Sequence, residues 1–353
     1  MKRLVSIVTF ACAASMPCRA AESATQCATL ADDRARLACY DALFRAAPSP
    51  PPAAPPAAPP APLSSGAGLT CRDEAADETA ATSPMSELWE LNCTRKRGTF
   101  LVRTFLPNYV LPLHLTSYIN RSPSSPSHAA ATPYPNARHV EAKLQISLRA
   151  KVAEGLLLPD ADLWFAYTQH SFWQVWNGAD SRPFRNTDYQ PEAIYVVPIH
   201  PRLGTLPGGW RWRMLQLGVA HQSNGQSDPL SRSWNRLYAG AGFERDEVGV
   251  QVSVLHRLGE PGGDDNPDLT TYIGGAEVVA SWQPGPATAV LTWRTGHPIR
   301  RGFVQLDWIF PVRSVQPLGL RWYAQVFSGY GETLLDYNVR QTSIGLGVAM
   351  FRF

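Results

Sequence analysis

From residue 105 onward, hydrophobic and polar residues alternate with a period of two. Between Ala142 and Val152 the residues Ala142, Leu144, Ile146, Leu148, Ala150 and Val152 share one face. Lys143, Gln145, Ser147, Arg149 and Lys151 share the other. That period is the mark of a strand with two unlike faces. It recurs in Val248/Val250/Val252/Val254, in Val304/Leu306/Trp308/Phe310, in Leu318/Leu320/Trp322/Val326 and in Ile344/Leu346/Val348/Met350. Turn signals divide the region into twelve predicted strands, near residues 109–119, 138–152, 161–176, 189–199, 210–222, 234–244, 247–257, 270–282, 287–295, 301–311, 317–328 and 336–353.

A soluble sandwich also alternates, so the charged residues decide between the two architectures. Lys143, Arg149, Arg294, Asp307, Arg321 and Arg340 fall within the predicted strands, opposite an unbroken apolar face. A membrane β-barrel needs that combination of apolar exterior and polar interior, and an even strand number leaves no open edge in lipid. The expected fold is therefore all-β, a twelve-stranded antiparallel transmembrane barrel. Phe351 and Phe353 fall out of phase with the last strand.

Composition supports this picture. Hydrophobic residues make up 44% of the 353-residue chain, yet no run approaches the roughly eighteen apolar residues of a spanning helix. Ten of the eleven Trp residues follow residue 160, along the strand-rich part. The net charge of +3 suggests no nucleic-acid partner. Residues 1–20 read as a secretory signal peptide, with Lys2 and Arg3, an apolar middle from Leu4 to Met16, and Cys18-Arg-Ala20 at the cleavage site. Export leaves Cys27, Cys39, Cys71 and Cys93, and an even number favours two disulfides. The favoured pairs are Cys27–Cys39 and Cys71–Cys93. A continuous helix would hold the first pair about 18 Å apart, so that bond requires a bend. The expected organisation is signal peptide (1–20), small helical Cys-containing segment (21–45), Pro/Ala-rich linker (46–68), second Cys-bearing segment (69–104) and barrel (105–353). The extension before the barrel is expected to be periplasmic.

Candidate chemistry lies between His221 and Asn235. In the fifth predicted strand, His221 and Ser223 continue the apolar register of Leu215, Leu217 and Val219. Asn235 shares the outward register of Leu237, Ala239 and Ala241 in the next strand. Same-face neighbours lie about 7 Å apart along a strand, and adjacent strands about 5 Å apart. These three side chains therefore meet on the lipid side. Ser223 is the candidate nucleophile, His221 the general base and Asn235 the group that orients the imidazole. Gly225 permits a turn that aims backbone N–H groups at an oxyanion, with Ser223 and Gly225 supplying the donors. An outward site at the membrane boundary meets acyl chains, so the expected substrate is a lipid ester. A porin or adhesion barrel and a soluble secreted esterase are the alternatives.

The segment His221-Gln-Ser-Asn-Gly-Gln-Ser-Asp-Pro-Leu-Ser-Arg-Ser-Trp-Asn-Arg-Leu-Tyr238 resembles the signature of bacterial outer membrane phospholipase A. So do Tyr167-Thr-Gln169-His-Ser, Ser181-Arg-Pro-Phe-Arg-Asn-Thr-Asp-Tyr-Gln-Pro-Glu192, Asp264-Asp-Asn-Pro-Asp268 and Gln325-Val-Phe-Ser-Gly-Tyr-Gly-Glu332. The resemblance covers residues 105–353 and implies a calcium-dependent Ser-His-Asn hydrolase of glycerophospholipids, active as a homodimer in the bacterial outer membrane. Products would include lysophospholipids. It implies Ca²⁺ at the active site with Ser181, Gln226 and Ser231 as ligand positions, and a second calcium site at Asp228 and Asp265. Gln226 stands where the family's best-known member has Arg, but the ligand there is a backbone carbonyl. Gln169 matches a dimer-contact position, and its parity with Leu163, Phe165 and Tyr167 makes it a polar group among lipid-facing side chains. The linker and four cysteines depart from the family's shorter N-terminus.

Overall fold

The structure, a computed structural model, describes residues 27–44, 83–260, 263–312 and 319–350. The chain divides into two compact units, Met1–Gly66 and Ala67–Phe353. In the first, helix α1 (Asp33–Phe44) follows a non-helical break at residues 29–32. Cys27 is bonded to Cys39 with the Cα atoms 5.6 Å apart. The break is what a straight helix would have lacked, since it brings the first Cys back beside the second. Cys93 is also disulfide-bonded. Cys71, its favoured partner, lies outside the described residues, as do the expected signal peptide, the Pro/Ala-rich linker, Phe351 and Phe353.

The second unit contains a two-residue strand, β1 (Arg103–Thr104), and twelve longer ones. These are β2 (Asn108–Thr116), β3 (Val140–Ala153), β4 (Asp162–Trp173), β5 (Phe184–Pro198), β6 (Arg211–Ser223), β7 (Ser233–Arg245), β8 (Val248–Leu258), β9 (Ala276–Trp282), β10 (Thr288–Thr295), β11 (Gly302–Pro311), β12 (Leu320–Gly329) and β13 (Gln341–Met350). Every neighbouring pair is antiparallel, and β2 bonds both β3 and β13, so the twelve form a closed ring. Closure satisfies the backbone groups that lipid cannot.

Several predicted boundaries move: β5 begins at Phe184 rather than near the expected 189, and β13 at Gln341 rather than near the expected 336. Residues 270–273, expected to open a strand, form a helical turn, Thr270–Ile273. Leu269 and Ile273, four apart, are both buried and pack with Leu255, Leu334 and Tyr337 under the loops. That spacing suits a helix face, whereas a strand would turn every second residue outward. Arg340 is exposed immediately before β13, and Arg321 sits at the second residue of β12. Neither is a mid-strand lumen charge.

The wall has the expected two faces. Ile146, Leu217 and Val254 are 51%, 57% and 64% exposed toward the outside, while Ser147 and Gln216 are 0% and 2% exposed toward the lumen. A one-residue slip of β3 would push Lys143, Arg149 and Lys151 into hydrocarbon, at about 2–4 kcal/mol each near the midplane. In the lumen these charges find partners. Lys143 Nζ lies 2.9 Å from Glu332 Oε1 and 2.7 Å from Gln325 Oε1. Arg185 bridges Glu141 at 2.9 Å and Asp336 at 2.6 Å.

The segment preceding the wall enters the lumen at the short-turn end. Ser83 caps α2 (Pro84–Trp89), its Oγ accepting from Ser86 N at 3.0 Å. The Glu244 carboxylate accepts from the Ser83 hydroxyl and from Met85 N. Trp89 meets Trp164 edge-on at 6.0 Å, with the Arg149 guanidinium 4.5 Å from one ring and 4.8 Å from the other. This aromatic and cationic cluster closes one end of the lumen, opposite the longer loops.

Candidate active site

Strand β6 delivers Leu215, Leu217 and Val219 to the outer surface before presenting His221 and Ser223 in the same register at the long-loop end. Opposite them on β7, Asn235 is the cross-strand partner of His221, and Ser233 that of Ser223. The His221 Nδ1 and Asn235 Oδ1 atoms are 2.8 Å apart. A carbonyl oxygen only accepts, so this bond places the imidazole proton on Nδ1 and leaves the Nε2 lone pair free to act as base. Ser223 lies two residues along the same face. Among the described residues its hydroxyl makes no hydrogen bond to the imidazole, a separation ordinary in substrate-free serine sites.

The loop after Ser223 is organised by Asn224, which is buried. Its Oδ1 accepts from Arg232 N at 2.9 Å and Gln226 N at 3.3 Å, and its Nδ2 donates to Leu230 O at 2.7 Å. These bonds pin residues 224–232 into a compact turn. Gly225 sits inside it at φ +63°, and an added Cβ would stand 3.0 Å from the Tyr189 ring. Among the described residues no protein acceptor takes the Gly225 N–H, so it is available to a developing oxyanion. Gly225→Ala is therefore expected to strain the turn by about 1–2 kcal/mol and to lower kcat, with the heat-modifiable gel mobility of the barrel retained. Undiminished kcat would show that the turn tolerates a side chain.

Two cavities bear on where chemistry occurs. The lumen holds one of ≈ 350 Å³, lined by Gln222, Arg236 and Tyr238 among others. These are the neighbours of the triad candidates with opposite parity; His221, Ser223 and Asn235 are absent from its lining. An open depression of ≈ 460 Å³ outside the lumen is lined by Phe184, Tyr189, Asn224, Gly225 and Gln226. His221, Ser223 and Asn235 line neither cavity; their shared register with the exposed Leu217, Val219 and Leu237 is what turns them to the outer surface.

The remaining predicted positions divide into those brought together and those kept apart. Ser231 Oγ donates to Asp265 Oδ2 at 2.6 Å, and Asp265 Oδ1 lies 3.0 Å from His128 Nε2. Asp228 Oδ1 is 3.7 Å from the same nitrogen. Asp228, Asp265 and His128 offer ligand atoms within 4.8 Å of one another. Burial pushes the Asp265 carboxyl up, but the bonds from Ser231 and His128 outweigh it and hold the group below its usual range. Gln226 Nε2 reaches Asn186 Oδ1 at 3.4 Å. Ser181 stands exposed at φ +61° on the β4–β5 loop, and among the described residues no hydrogen bond joins it to Gln226 or Ser231. Gln169 differs from its expected isolation. Tyr167 donates to its Oε1 at 3.0 Å, and its Nε2 donates to Ser171 Oγ at 3.1 Å.

Against known proteins, residues 85–350 match the family model for phospholipase A1. A putative phospholipase A1 of Neisseria meningitidis is 36% identical over 352 residues, covering 93% of this chain and 90% of that protein. The chain belongs to the phospholipase A1 family. Phospholipase A1 of Escherichia coli is 38% identical over 219 residues, 61% of this chain and 71% of that one. The calcium-bound dimer of the outer membrane phospholipase of Salmonella typhi superposes with a TM-score of 0.62 at 34% identity, covering 71% of this chain and 93% of that one. An active-site Asn-to-Ala variant of the Escherichia coli outer membrane phospholipase A gives 0.64 at 32% identity over 76% and 96%. The chain is an outer-membrane phospholipase.

The outward register of His221, Ser223 and Asn235 is the side of the ring on which an acyl ester in the bilayer lies. Two residues near the site escape the period-two pattern. His128 comes from the long β2–β3 connection, far from the motif in sequence. Glu260 follows β8 and accepts from Asn235 Nδ2 at 3.3 Å. The only signal for either was loop polarity, which marks no partner.

Proposed function

We propose that Ser223 is the acyl-accepting nucleophile, with His221 as its base and Asn235 as the orienting group. The observation that carries this reading is the 2.8 Å His221–Asn235 bond on a wall register otherwise given to apolar side chains. His221 Nε2 takes the Ser223 proton as Oγ adds to the ester carbonyl of a glycerophospholipid. The Gly225 N–H, with the Ser223 backbone, stabilises the resulting oxyanion. Collapse expels the lysophospholipid alcohol, which receives its proton from the imidazolium, and water then releases the fatty acid from Ser223. Asn235 holds the imidazolium through the carbonyl oxygen of its neutral amide.

The donor set of Ser181, the Gln226 backbone carbonyl and Ser231 is all oxygen and fits a hard cation such as Ca²⁺. When bound, the cation would supply positive charge to polarise the ester carbonyl. Among the described residues no hydrogen bond joins Ser181 to the other two positions, which agrees with a site completed in a homodimer. Asp228 and Asp265 are the proposed second cation position, with His128 as an added ligand. Gln169 is the proposed dimer contact. Its amide is half-satisfied by Tyr167 and Ser171, so it can enter lipid without a partner and still exchange a bond for one across an interface.

The test is covalent labelling. An alkyl sulfonyl fluoride should modify the refolded protein once, at the peptide bearing Ser223, and His221→Ala should block the reaction. Labelling that ignores His221, or that lands elsewhere, would remove Ser223 from its role.

A further inference from the structure

An Asn in a catalytic triad carries an ambiguity that an Asp lacks. Rotated by half a turn, its amide presents Nδ2 to the imidazole in place of Oδ1. The imidazole would then have to accept at Nδ1 and carry its proton on Nε2, where it cannot act as base. The imidazole alone does not select the productive orientation, because either tautomer satisfies one orientation of the amide.

A carboxylate behind Asn235 removes the ambiguity. Glu260 lies two residues beyond the end of β8, and its Oε1 accepts from Asn235 Nδ2 at 3.3 Å. Its other oxygen, Oε2, accepts from Ser233 Oγ at 3.4 Å. Ser233 and Asn235 are two apart on the same face of β7, so one carboxylate spans both. Because an ionised carboxylate only accepts, it can bond the Nδ2 end of the amide and rejects the Oδ1 end. Arg257 on β8 and Asp264 and Asp265 on the following loop are the charged groups acting on it. Burial, with Asp264 and Asp265, outweighs Arg257 and the Ser233 hydroxyl and holds the Glu260 carboxyl above its usual range. Across β7 it faces His221 only through Asn235.

We propose that Glu260 is a positioning residue for the hydrolysis, extending Ser223–His221–Asn235 into a four-member chain and locking the Asn235 amide in the orientation that leaves His221 Nε2 basic. The inference rests on the triad reading of the site. Its chemistry involves no proton transfer to Glu260 itself. The carboxylate holds an amide whose orientation sets the imidazole tautomer, and its negative charge favours the imidazolium that forms during attack.

A double-mutant cycle on the full refolded chain with calcium present tests this, with dioleoylphosphatidylcholine in mixed micelles as substrate. Glu260→Ala should lower kcat about tenfold, the size of one lost charge-assisted hydrogen bond, with KM changed by less than about twofold. Glu260→Gln keeps size and an acceptor oxygen and should recover part of the loss. It should also move the acid limb of the kcat/KM profile to lower pH, because the imidazolium loses a nearby negative charge. In an Asn235→Ala background, Glu260→Ala should cost less than about twofold, because the group it positions is gone and only its through-space charge remains. Heat-modifiable mobility would confirm that each variant is a folded barrel. Wild-type kcat in Glu260→Ala, or losses that multiply with Asn235→Ala, would overturn the role of Glu260 while leaving the triad standing. A Ser223→Ala enzyme that still turns over would instead sink the triad reading, and this assignment with it.

Discussion

Ser223→Ala is expected to lower phospholipid turnover by about 10⁴-fold or more, because it removes the proposed nucleophile that forms the acyl-enzyme. His221→Ala should come close to the same loss, since an unassisted Ser hydroxyl is a weak nucleophile and general-base help is worth about 10²–10⁴-fold. Asn235→Ala should cost far less, about tenfold, the worth of one hydrogen bond that fixes the imidazole. This ranking is the informative part. The 2.8 Å bond from His221 to Asn235 fits the proposed part of Asn235 as a support for the base. Initial rates on a defined phospholipid, with heat-modifiable mobility as the folding control, measure all three. An Asn235→Ala loss as deep as that of Ser223→Ala would assign Asn235 a more direct part.

Chelation should be the second large effect. With EDTA in excess, activity is expected to fall about 10²–10³-fold, the worth of a charge or donor aimed at an oxyanion, and to return with Ca²⁺ but not Mg²⁺. Mg²⁺ holds its waters and demands octahedral geometry, whereas Ca²⁺ accepts irregular sets of carbonyl and hydroxyl oxygens. Chemical cross-linking supplies a readout apart from turnover. Calcium should raise the cross-linked dimer, and Gln169→Ala should lower it while the monomer stays folded. Ser231→Ala should weaken the calcium response, because Ser231 Oγ is anchored by Asp265 at 2.6 Å and so is held in place for a cation. Full activity in metal-free detergent, with an unchanged dimer fraction, would remove calcium from both roles.

A second physical contrast separates the two ends of the barrel. At the short-turn end, α2 carries Trp89 into a cluster with Trp164 and Arg149, and Glu244 holds the start of the helix. At the other end, the loops after β2, β6 and β8 exchange contacts through His128, Ser231 and Asp265. The candidate catalytic groups belong to neither interior. They sit on the rim of the outer face, where Val219 and Leu237 continue the apolar band below them.

Much of this arrangement is legible in the amino-acid sequence. Alternation in β3 separates Lys143, Arg149 and Lys151 from Ile146 and Leu148. Hydrocarbon penalises a misplaced charge strongly enough that the register, and with it the side of the wall, follows from period two alone. The same parity turns His221, Ser223 and Asn235 outward. Only the tertiary structure decided what lies across from them. Glu260 reaches Asn235 because β7 and β8 pair antiparallel, which brings the chain just past Leu258 back beside Asn235. His128 meets Asp228 and Asp265 because the ring gathers alternate loops at one end. Gln169 escapes isolation through Tyr167 and Ser171, two residues away on either side, a bond set by side-chain rotamers that periodicity does not encode. Residues 270–273 coil for a like reason: the loops cover Leu269 and Ile273 there, and burial under a cap favours a helical turn over continued strand. Local alternation determines which face a residue takes, because the lipid acts on each strand separately. Partners across loops depend on ring closure, which no local pattern contains.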